Sequence, residues 1–148
     1  KKFSSDDFTG RYASLNNLNS KQFYKVRFRA YTYLGKTKTP QYGAWSDYTT
    51  FAISPSTLHI TSAKRGKALR VSWGKNKNAT SYTIYGSTHR EGKFKKIATT
   101  KKTSYVVKKV GKSKIKKNKN YYFYVKANRK QGKKTIKSIN KFTYYSYI

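Results

Sequence analysis

The chain has no cysteine and only four acidic side chains, Asp6, Asp7, Asp47 and Glu91, in 148 residues. Without thiols there is no disulfide, no thiol nucleophile and no thiolate metal site. Compartment is left undecided, because many large secreted proteins also lack cysteine. Catalysis needs groups that take protons, attack, or hold a metal, and few are present. Asp6 and Asp7 are adjacent and would point to opposite faces of an extended chain, which suits a solvated turn better than an acid/base pair. Asp47 follows Trp45 and Ser46 in a strand and is expected to pair with a lysine, while Glu91 lies in the turn HREGK. His59 sits between Leu58 and Ile60 and so faces away from the core, and His89 is at a hairpin tip; a metal site would have to gather both from distant parts of a sheet. There is no phosphate-binding glycine loop, no G-x-S-x-G and no H-E-x-x-H. No catalytic, cofactor-binding or metal-ligating residue is therefore assigned, no cofactor is implied, and the chain reads as a non-enzyme. No apolar run is long enough to cross a bilayer as a helix. No signal-peptide pattern follows Lys1; Lys1 is not a natural start, which leaves room for an upstream segment carrying one.

What the sequence has in excess is positive charge. Thirty-five Lys and Arg give a formal net charge of +31. Residues 1–53 hold 9 basic and 3 acidic side chains, whereas residues 54–148 hold 26 basic and only Glu91. Such a half repels itself and attracts polyanions with a salt-sensitive affinity. Wall or capsule polymers, anionic lipid and nucleic acid all fit that description. The densest run is 108–119, with Lys108, Lys109, Lys112, Lys114, Lys116, Lys117 and Lys119. It reads either as a solvated loop or, lacking any compensating acid, as a polyanion contact.

Aromatic residues come next, with 15 Tyr, 8 Phe and 2 Trp. Tyr, Val, Ile and Thr favour a pleated, half-buried surface, so the expected class is all-β. The chain also repeats itself: QFYKVRFRAY at 22–31 returns as KNYYFYVKAN at 119–128. The alignment pairs Tyr24 with Tyr121, Val26 with Phe123, Phe28 with Val125 and Ala30 with Ala127, each 97 residues apart. It extends back to Leu18 and Ile115, six residues before each tyrosine. A period above ninety suits a small sandwich domain rather than a solenoid unit. The strict alternation predicts strands over 24–30 and 121–127, one face packed and the other wet.

Residues 54–148 read as a full set of short strands. Leu58 and Ile60 mark the first, and Leu69, Val71 and Trp73 the second, after a KRGK turn. Tyr82 and Ile84 mark the third, KFKKIA the fourth, Tyr105 and Val107 the fifth, Tyr121 to Ala127 the sixth, and 141–145 the last. Strands of this number with turn signals between them predict a β-sandwich. ALRVSW, the following SYTIYGS, and Val110 or Ile115 leading to the Tyr121 strand together resemble a fibronectin type III domain. GKFKKIATTKKTSYVVKK is similar to the Lys- and Tyr-rich type III repeats of surface and secreted proteins of Gram-positive bacteria. The resemblance implies an immunoglobulin-like sandwich in which Trp73 anchors the core on strand B and Tyr121 forms a tyrosine corner, with Tyr24 repeating that role. It implies a tandem arrangement: residues 54–148 a complete domain, residues 1–53 only the C-terminal half of another. The strands of that half, C′, E, F and G, fall near Phe3, 13–15, 24–30 and 45–53. Half a sandwich exposes its inner face, so the missing strands are expected either from upstream chain or from another molecule. Between the two, SPST with Pro55 is a short, stiffened link.

Two surfaces could carry function. The first is the lysine run. The second is the outer face of the sixth strand, Tyr122, Tyr124 and Lys126, joined by Thr83 and Tyr85 of its neighbour. This face could stack on sugar rings or bases; the plainer reading is that the tyrosines pair across strands while lysines keep the edges soluble. The leading expectation is a non-catalytic extracellular module at a bacterial surface, a spacer and adhesion or wall-association domain. Its partner would be an anionic cell-wall polymer, an acidic glycan or a protein. The alternatives are an accessory domain of a larger secreted carbohydrate- or wall-active enzyme and, more weakly, a nucleic-acid binder. The last lacks any RRM- or KH-type motif.

Overall fold

The computed structural model describes residues 18–35, 39–55, 57–139 and 144–147, the last segment without the side chains of Tyr145 and Tyr147. The expected strands near Phe3 and 13–15, and the Asp6–Asp7 turn, lie outside the described residues. Every regular element described is a strand, and none is a helix. The all-β expectation holds.

Residues 18–35 and 39–53 form an antiparallel ribbon. β1 (Phe23–Val26) pairs with β4 (Thr49–Ala52), Phe23 opposite Ala52 and Val26 opposite Thr49. Further along, β2 (Tyr31–Tyr33) pairs with β3 (Pro40–Tyr42), Tyr31 opposite Tyr42. Between these pairs, Ser46 N–H donates to Phe28 O at 2.7 Å and Gly43 N–H to Ala30 O at 2.9 Å, so the ribbon is continuous. The register slips within 43–48, which makes the return strand longer there and bulges it. The expected unbroken strand over 24–30 therefore stops at Val26 and resumes at Tyr31. Its expected packed face is also open: Phe28 is 62% exposed. Alternation is a local signal, whereas burial needs a second layer, and none of the described residues covers Phe28. The buried member of β1 is Phe23, on the face opposite Tyr24, and it joins Ala52 in the main core.

Two sheets follow. The first contains β5 (Leu58–Ala63), β6 (Ala68–Trp73) and β9 (Ser104–Val107), with β6 central. The second contains β7 (Ser81–Ser87), β8 (Lys95–Thr100), β12 (Asn120–Gln131), β13 (Lys134–Lys137) and β14 (Tyr144–Tyr147). Its order is β13-β12-β7-β8, and β14 also pairs with β12. In immunoglobulin-like lettering this is A-B-E facing G-F-C-C′, an order that fits the fibronectin type III sandwich. A small hairpin, β10 (Lys109–Val110) with β11 (Ser113–Lys114), bridges the E and F strands.

The last strand departs from the sequence reading. Instead of one strand at 141–145 there are two, both on the same edge of β12. β13 pairs with Asn128 to Gln131 through a two-residue turn at Gly132, and β14 pairs with Asn120 to Phe123. Lysine-rich KKTIK has little apolar alternation to mark a strand; a partner strand long enough to reach it supplies the pairing. The 12-residue β12 is that partner.

The core lies between the sheets. Leu69, Val71 and Trp73 from β6 meet Tyr82 and Ile84 from β7 and Tyr121, Phe123, Val125 and Ala127 from β12. Trp73 packs edge-on against Tyr82, ring centroids 5.5 Å apart. Its indole N–H has no acceptor among the described residues, so Trp73 contributes through apolar area and the ring contact. Gly86 of β7 lets Ile97 of β8 and Phe123 of β12 close over it from both neighbouring strands. A Cβ there would lie 2.6 Å from Ile97 Cδ1 and 3.0 Å from Phe123 Cε1.

The same corner geometry occurs twice. Tyr121 Oη accepts from Lys116 N–H at 2.9 Å, and Tyr24 Oη accepts from Asn19 N–H at 2.6 Å, each five residues back. The ribbon is also tied to the sandwich. Ser54 N–H donates to Ile139 O and Ile139 N–H to Ala52 O, forming a parallel bridge, and Lys77 N–H donates to Lys21 O. Beneath the bridge the buried Ser54 and Ser138 hydroxyls meet at 2.9 Å, and Ser138 Oγ accepts from Ala127 N–H.

Tyr121→Phe is expected to lower stability by about 1 kcal/mol, the net worth of one intramolecular hydrogen bond, seen as a reduced urea midpoint. Tyr24→Phe should cost less, since its corner is exposed. Gly86→Ala should cost about 1–3 kcal/mol through overpacking. Equal effects of the two tyrosine substitutions would contradict the ranking.

Candidate functional site

The lysine run folds as a pinned hairpin rather than a free loop. Val107, Val110 and Ile115 are buried and anchor it from below. Between and beyond them Lys108, Lys109, Lys112, Lys114, Lys116, Lys117 and Lys119 are all exposed. Gly111 and Lys112 form the two-residue turn. Positive φ at Gly111 (60°) and none at Lys112 is the pattern of a type II′ hairpin, whose first central position favours glycine. Ile115 N–H donates to Lys108 O at 3.1 Å, and Tyr121 Oη holds the Lys116 amide. Backbone bonds thus fix where the lysine stems leave the surface, while the ammonium groups stay in water.

The tertiary fold adds cations that a linear reading does not group with this run. The turn between β5 and β6 is KRGK, with Lys64 (φ 51°), Arg65 (φ 53°) and Gly66 (φ 81°) all left-handed. The Lys117 stem lies over it: a Cβ at Gly66 would sit 3.0 Å from Lys117 Cε. Lys95 of β8 similarly passes over Gly111, its Cδ 3.5 Å from where a Cβ would be. Three segments far apart in sequence therefore share one basic surface. No pattern in the chain links them; only the sheet order does.

The aromatic face is assembled as well, but its rings are engaged with one another. Tyr85 and Tyr124 stack with centroids 4.8 Å apart at 19°, and Phe94 lies 5.0 Å from Tyr124 on a tilted plane. Lys126 Nζ is 5.9 Å from the Tyr124 centroid. Tyr122 is half-buried, opposite Ser87 in the pairing of β12 with β7. Thr83, expected outside with Tyr85, is only 3% exposed. Its hydroxyl meets Asn128 Nδ2 at 2.9 Å and Thr99 Oγ1 at 3.3 Å, so cross-strand polar partners cover it on the outer face. Burial holds the Tyr124 phenol above its usual range, with the nearby Tyr85 adding to the shift, and burial alone does the same for Tyr144.

A second aromatic–cationic array lies on the first ribbon. Lys25, Arg27 and Arg29 share one face, as expected from the alternation; the return strand sets Tyr48, Trp45 and Tyr42 among them. The Arg27 guanidinium carbon is 4.2 Å from the Trp45 ring centroid and 4.9 Å from that of Tyr48. That of Arg29 is 3.5 Å from Tyr42 and 4.5 Å from Trp45, and Lys25 Nζ is 5.6 Å from Tyr48. Each cation is thus held over ring faces, the geometry of cation–π attraction. The signal in the chain was the spacing of K-V-R-F-R against Y-G-A-W-S-D-Y, but the bulge that sets the register is not visible there.

Among the described residues no group of His, Asp or Glu could hold a metal ion. His59 and His89 are both exposed.

No family model and no curated protein matches the sequence. Among solved structures the chain is similar to a fibronectin type III-like protein from Clostridium thermocellum, 22% identical with a TM-score of 0.44, covering 60% of this chain and 90% of that one. It is similar to a mutant of the FN3tt domain, 23% identical with a TM-score of 0.47, covering 64% and 93%. It also overlays part of the pectate lyase PelI from Erwinia chrysanthemi, 12% identical with a TM-score of 0.43, over 61% of this chain and 26% of that enzyme. The sandwich assignment stands on the strand order and register described above.

A raised phenol pKa has a defined consequence for stability. The neutral forms of Tyr124 and Tyr144 are favoured in the folded state, so this contribution is complete below the ordinary phenol pKa of about 10. It is lost as pH rises through the folded values. In a tyrosinate absorbance titration these phenols should ionise after the exposed ones, and Tyr124→Phe should remove part of the late phase. An unchanged late phase in that variant would contradict the assignment.

Proposed function

We propose that this protein is a non-catalytic extracellular module of a bacterial surface or secreted protein, a spacer whose basic corner associates with anionic wall polymers or acidic glycans. On this reading residues 54–148 form a complete type III domain and residues 1–53 the C-terminal half of another. The observation that carries it is the pinned hairpin: seven exposed lysines between 108 and 119, held by buried Val110 and Ile115 and by the Tyr121 corner. In 54–148 only Glu91 opposes the 26 basic groups.

Single exposed ion pairs contribute only about 0–1 kcal/mol. Affinity must come from many lysines meeting a repeating charge at once, which raises avidity without a deep pocket. A flexible polymer with one negative charge per repeat meets that requirement. The stacking of Tyr85 on Tyr124, with Phe94 tilted against Tyr124, supports the plainer role for these rings, in holding the sheet, over a ligand-stacking role. The parallel bridge at Ile53 and Ile139 supports a spacer, because it ties the ribbon to the sandwich by backbone bonds rather than through Pro55 alone.

The test is co-sedimentation with purified Gram-positive wall polymer, in competition with plasmid DNA, at about 0.15 M salt, where the Debye length is roughly 8 Å. Retention on the wall polymer is expected, with release toward about 1 M salt, where that length falls to roughly 3 Å. Substituting Lys114, Lys116 and Lys117 together by Gln should weaken retention without changing the urea midpoint. Preference for DNA in the competition, or retention indifferent to salt, would overturn the proposal.

A further inference from the structure

A concavity lies within the basic surface. A cleft of about 280 Å3 opens between the loop joining β7 to β8 and the turn of the β10–β11 hairpin, close to the lower bound of small-molecule pockets, about 300 Å3. Its floor is Gly86 and Val110, both buried. Behind Gly86, Ile97 and the Phe123 ring close off the space a side chain would take, so the floor is packed from beneath. Its walls carry Lys93, Lys95, Lys112, His89 and Ser113.

The loop wall is a fixed structure. Ser87 is 2% exposed, accepts from His89 N–H at 3.0 Å and donates to Gly92 O at 3.2 Å, closing the loop on itself. Gly92 (φ 73°) and Lys93 (φ 54°) both adopt left-handed backbone there. That conformation is disfavoured for a non-glycine residue, and Lys93 is held in it at the rim of the cleft. The opposite wall is the type II′ turn, with the Lys95 stem laid across Gly111. Glu91 belongs to the same loop but is exposed and does not line the cleft.

From this set we infer that the cleft is a subsite for a single phosphate group of the anionic polymer, a phosphodiester linking polyol or sugar units. The inference deepens the proposed function and rests on it. The placement of the donors bears on the ligand class. A lysine ammonium is a compact point charge with rotatable donors that serves a phosphate or a carboxylate, so the number and placement of the donors bear on the ligand rather than their type. The cleft lining contains three lysines and no arginine. Ser113 adds a hydroxyl to the lining. A phosphodiester presents four oxygens in a tetrahedron, two of them sharing the charge, to donors on two facing walls, whereas a uronic acid carboxylate presents two in one plane.

The experiment uses the intact chain and two charge-matched variants, Lys95→Gln with Lys112→Gln in the cleft and Lys116→Gln with Lys119→Gln outside it. Short poly(glycerol phosphate) and oligogalacturonate of equal charge are titrated calorimetrically at about 0.15 M salt, with the urea midpoint confirming folding. A charge-assisted contact is worth about tenfold in affinity. The cleft pair should therefore lose tenfold or more for poly(glycerol phosphate), the outer pair threefold or less, and the intact chain should prefer the phosphate polymer. Inorganic phosphate should shift the amide resonances of Lys93, Gly111 and Lys112 ahead of those of Lys116 and Lys119. Equal losses in both pairs with binding intact would overturn the subsite and leave the diffuse basic surface standing. Tighter binding of oligogalacturonate would overturn the phosphate assignment alone. Absence of binding to either polymer would overturn the subsite and the proposed function together.

Discussion

The hydroxyl of Tyr121 on the amide of Lys116 is the contact on which the lysine placement depends. Tyr121 is 1% exposed, its ring part of the core and its oxygen reaching the edge. One side chain thus ties the hydrophobic layer to the chain segment carrying the highest density of charge. Without it the lysines would still repel one another, and the hairpin between Val110 and Ile115 would lose its closing bond. The apolar interior counters charge repulsion at this corner, and the result is a basic surface with defined geometry.

The cost of that charge is visible in how the structure distributes cations. On the first ribbon Arg27 and Arg29 lie over aromatic rings, which offer cations an attractive face besides that of a carboxylate. On the sandwich the lysine stems run across glycines, Lys117 over Gly66 and Lys95 over Gly111, burying methylene groups while the ammonium groups stay in water. Cation–π contact in one part and stem packing in the other let a chain with four acids hold thirty-five basic residues. Both leave the charged surface free to meet a polyanion.

Edges are managed in a related way. β12 runs the length of the second sheet and presents one edge to two separate strands, β13 and β14. The parallel bridge at Ile139, just past β13, then attaches the end of the first ribbon to the outer side of that strand's continuation. Covering that edge removes unpaired backbone groups that would otherwise invite another strand. The exposed face of Phe28 is the counterpart: ladder bonds are satisfied along the ribbon, but no described layer lies over it.

The sequence by itself determined the strands of the sandwich core. Leu69, Val71 and Trp73, and Tyr121 through Ala127, alternate by twos, and the pleat turns that period directly into an inside and an outside. It determined the surplus of charge and the poverty of catalytic groups, because both are counts. Tertiary structure alone decided which cations stand together, since Lys95, Lys112, Lys117 and the KRGK turn meet only through sheet order. It decided the split final strand, because KKTIK pairs only where β12 is long enough to receive it. It also decided the fate of Phe28 and Thr83, one exposed and the other covered, against what alternation suggested. Period tells a residue which way to point; whether anything lies there to meet it depends on chain that is distant in sequence.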